Sequence, residues 1–196
     1  MAFVVLEGID GSGKDVQAEL VLRRLEERKI PYRYIKYPEK EKPIGDLIYK
    51  FLREKIELPP LSLTLLYVAD FLKDDWIEEE RKNRLILANR FFTSTLAYEW
   101  ALGVPIDILL ALADVLHIPR PDVVIYIDVS PEESLRRKGK NPDRFERDLD
   151  FQRRVRENYL YLSENGLFAQ RWVVVDGERP PEVVFQDVWQ IISAVV

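Results

Sequence analysis

The feature that most constrains this chain is a glycine-rich loop near its start. Residues 8–15 read Gly-Ile-Asp-Gly-Ser-Gly-Lys-Asp, which fits the pattern Gly-x-x-x-x-Gly-Lys-[Ser/Thr] except that Asp15 replaces the final hydroxyl residue. An apolar run at 3–6 precedes the loop, and a helical pattern begins at about Val16. This strand, loop and helix setting is the one that a phosphate-binding loop requires. The pattern therefore predicts a phosphate site directly after a first strand.

The residue types in the loop suit a polyphosphate ligand. Glycines permit positive φ angles and close approach of the backbone, so successive N–H groups can point at phosphate oxygens in front of a helix N-terminus. Lys14 is expected to reach the terminal phosphates, and a tight turn without a ligand would not explain that lysine. The expected binding segment is Gly8, Ile9, Asp10, Gly11, Ser12, Gly13, Lys14 and Asp15.

Length and composition limit the number of domains and the kinds of ligand and metal site that the protein can have. The chain has 196 residues and a formal net charge of −5, so we expect one domain over residues 1–196 and a small anionic ligand rather than nucleic acid or a membrane. There is no Cys, which excludes disulfides and thiolate metal sites, so any metal has to be held by oxygen. The chain start does not have the pattern of a signal peptide, and we expect a cytoplasmic protein. High charge with one Met suggests a heat-adapted source.

Short apolar runs alternate with helical patterns along the whole chain. The predicted strands are residues 3–7, 32–36, 84–88, 123–128 and 172–176. Their near-continuous apolarity indicates that both faces of the sheet are covered. We therefore expect an α/β fold with a doubly wound five-stranded parallel sheet and helices on both faces. Ligands in such folds bind beyond the carboxyl ends of the strands, here near residues 10–15, 37–39 and 89–90.

A strongly basic segment at about 136–147 does not fit a packed core. It contains Arg136, Arg137, Lys138, Lys140, Arg144 and Arg147. One interpretation is a solvated helix end. The other is a mobile lid that closes over bound phosphates and supplies guanidinium groups to a transferring phosphoryl group.

Together these segments resemble the thymidylate kinase family over nearly the whole chain. The resemblance is carried by residues 3–17, 37–40, 43–45, 65–70, 89–91, 94–98, 144–146 and 151–152. It implies a P-loop NTPase fold with a short lid, phosphoryl transfer from ATP to dTMP, ATP and Mg²⁺ as cofactors, and a homodimer. The adenine of ATP is expected between the lid base and residues 177–180. Apolar segments at 47–52 and 61–72 could form a dimer interface, but burial within one chain suits them equally well.

The resemblance also implies roles for individual residues. Asp10 would reach the acceptor sugar, Lys40 would contact the acceptor phosphate, and Tyr67 would stack on the thymine. Arg90 can bridge donor and acceptor phosphates bidentately. Because Gly11 is not basic, the arginine that assists transfer is expected from the lid. The expected catalytic residues are Lys14, Arg90, Arg136, Arg137 and Arg144. The expected acceptor-binding residues are Asp10, Glu39, Lys40, Tyr67, Phe71, Arg90, Ser94, Thr95, Tyr98, Phe145 and Gln152.

Two departures from the family pattern concern the metal. Asp15 stands where a Ser or Thr hydroxyl binds Mg²⁺, and Asn89 stands where an Asp reaches the same ion. The two changes together conserve the formal charge. Our hypothesis is that the carboxylate has moved to the loop, with Asp15 as the metal ligand and Asn89 as its neutral partner or that of a metal-bound water. The alternative is a catalytically weak nucleotide-binding protein whose metal site has decayed.

Further departures concern the choice of acceptor. Phe71 stands where the family usually has an arginine that binds the thymine carbonyl, Glu99 replaces a common Gln, and Phe145 replaces a frequent Tyr. Loss of a polar contact to the base weakens discrimination. We expect dTMP to be the best acceptor, with measurable activity on other pyrimidine monophosphates. A kinase for another small acceptor remains the competing interpretation.

Overall fold

The computed structural model describes residues 1–138 and 143–196. Its strands are β1 (Phe3–Glu7), β2 (Tyr32–Lys36), β3 (Leu85–Asn89), β4 (Val123–Asp128) and β5 (Arg171–Asp176). Its helices are α1 (Lys14–Glu27), α2 (Pro43–Leu52), α3 (Pro60–Leu72), α4 (Ile77–Glu80), α5 (Phe92–Ala101), α6 (Ile106–Val115), α7 (Pro131–Lys138), α8 (Leu149–Glu164) and α9 (Pro181–Ser193). None of these helices combines the length and the apolar character that crossing a membrane requires.

The strands form one five-stranded parallel sheet in the order β2-β3-β1-β4-β5. This confirms the predicted sheet, and the strand bounds differ from the prediction by at most one residue. Asn89 is the last residue of β3 rather than the residue after it. The first helix begins at Lys14, two residues before the predicted start, because the carbonyl of Gly13 already accepts a hydrogen bond from the amide of Gln17 at 3.0 Å.

Helices cover both faces of the sheet, as expected. Alternate side chains of β1 point to opposite faces, which follows from the two-residue period of a strand. Phe3 and Val5 pack with apolar residues of α3, α5 and α8, whereas Val4 and Leu6 pack with those of α1 and α9. The central position of β1 therefore fixes the loop that follows it between two apolar layers.

Candidate functional site

A cavity of about 510 Å³ opens where the carboxyl ends of β1, β2 and β3 meet. Its volume is in the usual range of small-molecule sites. The phosphate loop and α1 contribute Asp10, Gly11, Gly13, Lys14, Asp15 and Val16 to its wall. The end of β2 and the helices α2 and α3 contribute Lys36, Tyr37, Pro38, Tyr49, Leu52, Arg53 and Tyr67. The remaining wall is formed by Asn89, Arg90, Ser94, Thr95, Tyr98, Arg137, Lys138, Asp143, Phe145 and Glu146.

The phosphate loop is folded around the side chain of Lys14. The Lys14 ammonium donates to the carbonyl oxygens of Gly8 and Ile9, both at 2.8 Å, and lies 3.3 Å from the Ser12 hydroxyl. Gly11 has a φ of +79°, and a Cβ at this position would lie 2.6 Å from the carbonyl oxygen of Ser134 on α7. Glycine is required there because α7 approaches the loop backbone so closely.

Burial and charge perturb the ionisable groups of this loop. Burial, together with the positive charge of Arg90, lowers the pKa of Lys14 to about 7. Burial would raise the pKa of Asp10, but Arg90 and Lys14 outweigh it and hold that pKa well below its usual range. Bound phosphates would favour the charged form of Lys14. The loop therefore presents a buried amine whose charge depends on the ligand.

Arg90 is fixed in the cavity wall by a chain of hydrogen bonds. Its guanidinium donates to Asp10 at 2.8 Å and to the Ser94 hydroxyl at 3.1 Å, and it lies 5.3 Å from the centre of the Tyr98 ring. Ser94 in turn donates to the buried carboxylate of Glu7 at 2.6 Å. Tyr159 donates to the same carboxylate at 2.8 Å. Glu7 and Tyr159 were absent from the predicted site. They nevertheless fix the position of Ser94, which in turn accepts a hydrogen bond from Arg90.

Asp15 and Asn89, the predicted metal ligands, lie in contact. Asn89 Nδ2 donates to Asp15 Oδ1 at 2.7 Å and to the Tyr34 hydroxyl at 3.3 Å. The Lys36 ammonium lies 2.6 Å from the same Oδ1. Burial would raise the pKa of Asp15, but the hydrogen bonds and the charge of Lys36 outweigh it and lower the pKa. Asp15 is therefore an ionised carboxylate.

The donor chemistry at Asp15 fits Mg²⁺, which prefers oxygen ligands. The Asp15 side chain is 65% exposed and lines the cavity. Lys36 and Asn89 both donate to Oδ1 of Asp15. Among the described residues neither of them contacts Oδ2, so this oxygen remains available to a cation. The ammonium of Lys36 competes for the same carboxylate. A cation bound there would have to share or displace this ion pair.

The three arginines of the predicted lid make different contacts. Residues 139–142 of the predicted lid, including Lys140, lie outside the described part of the chain. Arg136 is exposed and paired with Glu133, while Arg144 is paired with Glu57 and stacks on Phe51. Of the three predicted arginines, the structure brings Arg137 into the cavity wall.

Lys138 also lines the cavity, although it was not among the predicted catalytic residues. Its ammonium lies 4.0 Å from Asp10 and 2.5 Å from Glu146. Burial, followed by the nearby carboxylates of Asp10 and Glu146, raises the pKa of Asp143 to about 6. The described residues beside the predicted lid therefore carry a compact group of mixed charges facing the phosphate loop.

The predicted acceptor-binding residues fall into two groups. Those that line the cavity together are Asp10, Tyr67, Arg90, Ser94, Thr95, Tyr98 and Phe145. Thr95 is almost fully buried, and its hydroxyl has no hydrogen-bond partner among the described residues. A ligand bound in this part of the cavity could supply that partner.

The other predicted acceptor residues lie outside the cavity wall. Phe71 is buried, with its ring 4.9 Å from that of Tyr37 and 5.0 Å from that of Phe91. Its position faces the core, because α3 packs against that aromatic layer. Lys40 is exposed, Glu39 is partly exposed, and Gln152 donates to the Phe145 carbonyl at 3.0 Å.

Further cavity-lining residues were absent from the predicted site, including Lys36, Tyr49 and Arg53. A signal for Lys36 existed, since it is a basic residue at the carboxyl end of a strand. No comparable signal marked Tyr49 or Arg53, because they lie on α2 and directly after it, and the sequence did not specify how that helix packs.

A second cavity of about 440 Å³ lies on the other side of the phosphate loop. Its wall includes Ser12, Gln17, Arg136, Arg137 and the segment 177–181. This is the region between the lid base and the loop after β5 in which the adenine was expected. The phosphate loop separates the two cavities, and Arg137 lines both.

The sequence is similar to known proteins over nearly its whole length. The family model described as thymidylate kinase matches residues 6–188. A thymidylate kinase of Carboxydothermus hydrogenoformans is 34% identical, over 96% of this chain and 94% of its own. A probable thymidylate kinase of Pyrobaculum aerophilum is 34% identical, over 100% of this chain and 98% of its own. A thymidylate kinase of Arabidopsis thaliana is 30% identical, over 97% of this chain and 70% of its own. The chain belongs to the thymidylate kinase family.

Proposed function

We propose that this protein transfers the γ-phosphoryl group of ATP to the 5′-phosphate of dTMP, giving ADP and dTDP. The observation that carries the proposal is that Lys14, Arg90 and Tyr67 line one cavity. They are, respectively, a phosphate-loop amine, a fixed guanidinium and an aromatic ring. The amine suits a polyphosphate, the guanidinium suits a second phosphate, and the ring suits a flat base. Family membership supplies the identity of the nucleotides.

The residues act by positioning and by neutralising charge. An oxygen of the dTMP phosphate attacks the γ-phosphorus, the bond from that phosphorus to the β,γ-bridging oxygen breaks, and its electron pair leaves with ADP. Lys14 neutralises the donor phosphates. Arg90, held by Asp10 and Ser94, brings the acceptor phosphate towards them. Arg137 contributes a further guanidinium from the lid side.

The metal-binding role falls to Asp15, with Asn89 orienting its carboxylate. When bound, Mg²⁺ would neutralise negative charge on the phosphates of the nucleotide. The contact of 2.7 Å between Asn89 and Asp15 supports the hypothesis that the carboxylate has moved to the loop. The decayed-site alternative explains the changed residues but gives no reason for this contact.

We propose that the acceptor base lies between Tyr67, Tyr98 and Phe145, and that the adenine lies in the second cavity. Phe71 faces the core rather than the cavity, so the proposal of broader use of pyrimidine acceptors rests on the family comparison of the sequence alone. The Thr95 hydroxyl is the polar group that we assign to the base edge. We therefore expect dTMP to be preferred, with slower phosphorylation of dUMP and dCMP.

We place the whole chain in one kinase domain, since strands from both ends of the sequence share one sheet. We also propose a homodimer. Leu61, Leu65 and Leu72 on α3 are exposed, and an apolar face of this kind can be covered by a second copy.

The test is ADP release from Mg²⁺-ATP with a panel of nucleoside monophosphates. We expect dTMP to give the fastest release, and Lys14→Met or Arg90→Met to reduce it by a factor of about 100 or more. Lys82→Met is the control, because Lys82 is an exposed lysine paired with Glu79. Fast release with an unrelated acceptor would support the competing kinase. ATP binding by calorimetry without ADP release would indicate a non-catalytic nucleotide-binding protein.

A further inference from the structure

Lys36 is a charged residue of the cavity that the proposed mechanism does not use. It is the last residue of β2, so its side chain leaves the sheet at the edge where the ligands are expected. Its ammonium is 2.6 Å from Asp15 Oδ1, and both side chains line the cavity that also contains Arg90.

The ion pair between Lys36 and Asp15 is easy to open. The Lys36 side chain is 46% exposed and the Asp15 side chain 65% exposed. Ion pairs this exposed to water contribute little net stability, because each charge is well solvated alone. A ligand that binds either partner can therefore displace the other at small cost.

The two substrates would bind opposite partners of this ion pair. The metal that accompanies the nucleotide is a cation and requires the Asp15 carboxylate. The acceptor phosphate is an anion and requires a cation near Arg90. When the metal takes the carboxylate, Lys36 loses its partner and becomes available to an anion in the same cavity.

The placement of Lys40 strengthens the case for Lys36. Family resemblance assigned the acceptor phosphate to Lys40, but this side chain is exposed and its ammonium lies 5.9 Å from the centre of the Tyr49 ring. Lys40 does not line the described part of the cavity, whereas Lys36 does.

We infer that Lys36 binds the acceptor phosphate, and that Asp15 retains Lys36 until the metal–nucleotide complex engages the Asp15 carboxylate. The inference rests on the proposed function. It makes Asp15 the link between the two substrates, so each substrate strengthens the binding of the other. Such coupling is reciprocal by thermodynamic linkage.

The experiment is calorimetric titration with dTMP, in the absence and presence of saturating Mg²⁺ and a non-hydrolysable ATP analogue. For the unmodified chain we expect dTMP to bind about tenfold more tightly with the analogue, within the usual range of coupling between sites. Lys36→Met should bind dTMP weakly in both states, with a ratio near one. Asp15→Asn should bind dTMP tightly already without the analogue, again with a ratio near one. Lys36→Arg keeps the charge and should keep the coupling.

Lys50→Met is a matched control, because Lys50 is also 46% exposed and also paired with an aspartate, Asp46. It should behave like the unmodified chain. The inference is overturned if Lys36→Met keeps the coupling ratio, or if it weakens binding of the analogue instead of dTMP. It is also overturned if Asp15→Asn keeps the original affinity and ratio, since closure of the lid would then account for the coupling.

The ADP-release assay separates this inference from the proposed function. If the unmodified chain forms no dTDP, the proposed function fails. If it forms dTDP while Lys36→Met keeps the coupling, only the role of Lys36 fails.

Discussion

Replacement of Glu99 by Gln is expected to stabilise the protein, and to do so only above mildly acidic pH. Glu99 lies on α5 and is fully buried. The Thr64 hydroxyl donates to its Oε2 at 2.8 Å, while Oε1 has no hydrogen-bond partner among the described residues. Burial raises the pKa of Glu99 from the ordinary 4.5 to about 8. The folded protein therefore keeps this carboxyl protonated at neutral pH.

The size of the effect follows from the difference in pKa between the folded and unfolded chains. The raised pKa means that the folded state binds the extra proton, so the contribution of Glu99 to the free energy of unfolding is largest below pH 4.5 and falls as pH rises towards 8. At about 1.4 kcal/mol per pH unit, the loss is about 3 kcal/mol at pH 7 and approaches about 5 kcal/mol above pH 8. Glutamine has the same shape and does not titrate, so Glu99→Gln removes this loss.

The assay is urea unfolding at pH 5, 7 and 8.5, followed by circular dichroism. We expect Glu99→Gln to differ from the unmodified chain by less than about 1 kcal/mol at pH 5, and to be more stable by about 3 kcal/mol at pH 7. A melting temperature higher by about 6 to 12 °C should accompany this gain. Glu157→Gln is the control, because Glu157 is exposed on α8. Equal differences at pH 5 and pH 8.5 would refute the reasoning.

Two further predictions concern the phosphate loop. The pKa of Lys14 is about 7 before phosphates bind, so ATP binding at pH 8 should be accompanied by uptake of about one proton. Calorimetry in buffers of different ionisation enthalpy would measure this uptake. A binding enthalpy that does not depend on the buffer would contradict it. Asp15→Ser should lower turnover by removing the metal-binding carboxylate, whereas Asp15→Ser combined with Asn89→Asp should recover much of it. Higher turnover in the single variant would argue against a relocated carboxylate.

Local patterns were sufficient to predict the strands, their parallel class and the phosphate loop. The strand bounds were predictable because buried parallel strands are short, nearly continuous apolar runs, such as residues 123–127. The phosphate loop was predictable because its glycines and lysine follow a fixed spacing. Both signals involve residues close together in sequence, so no tertiary information was needed.

The hydrogen-bond network of the site was less predictable, since it joins residues that are distant in sequence. Glu7 accepts hydrogen bonds from Ser94 and Tyr159, which lie on two other elements of the chain. Phe71 was expected at the acceptor base, but the face of α3 that it occupies packs against Tyr37 and Phe91. Which face of a helix meets the core depends on neighbours that a short segment does not specify.

The sequence by itself determined a parallel α/β fold, a phosphate-binding loop and the chemistry of a charged cavity. The tertiary structure decided which charges meet. Lys36, Asp15 and Asn89 come together because β2 lies beside β3, and β3 beside β1. Strand order arises from long-range packing and hydrogen bonding between strands, and no local periodicity encodes it.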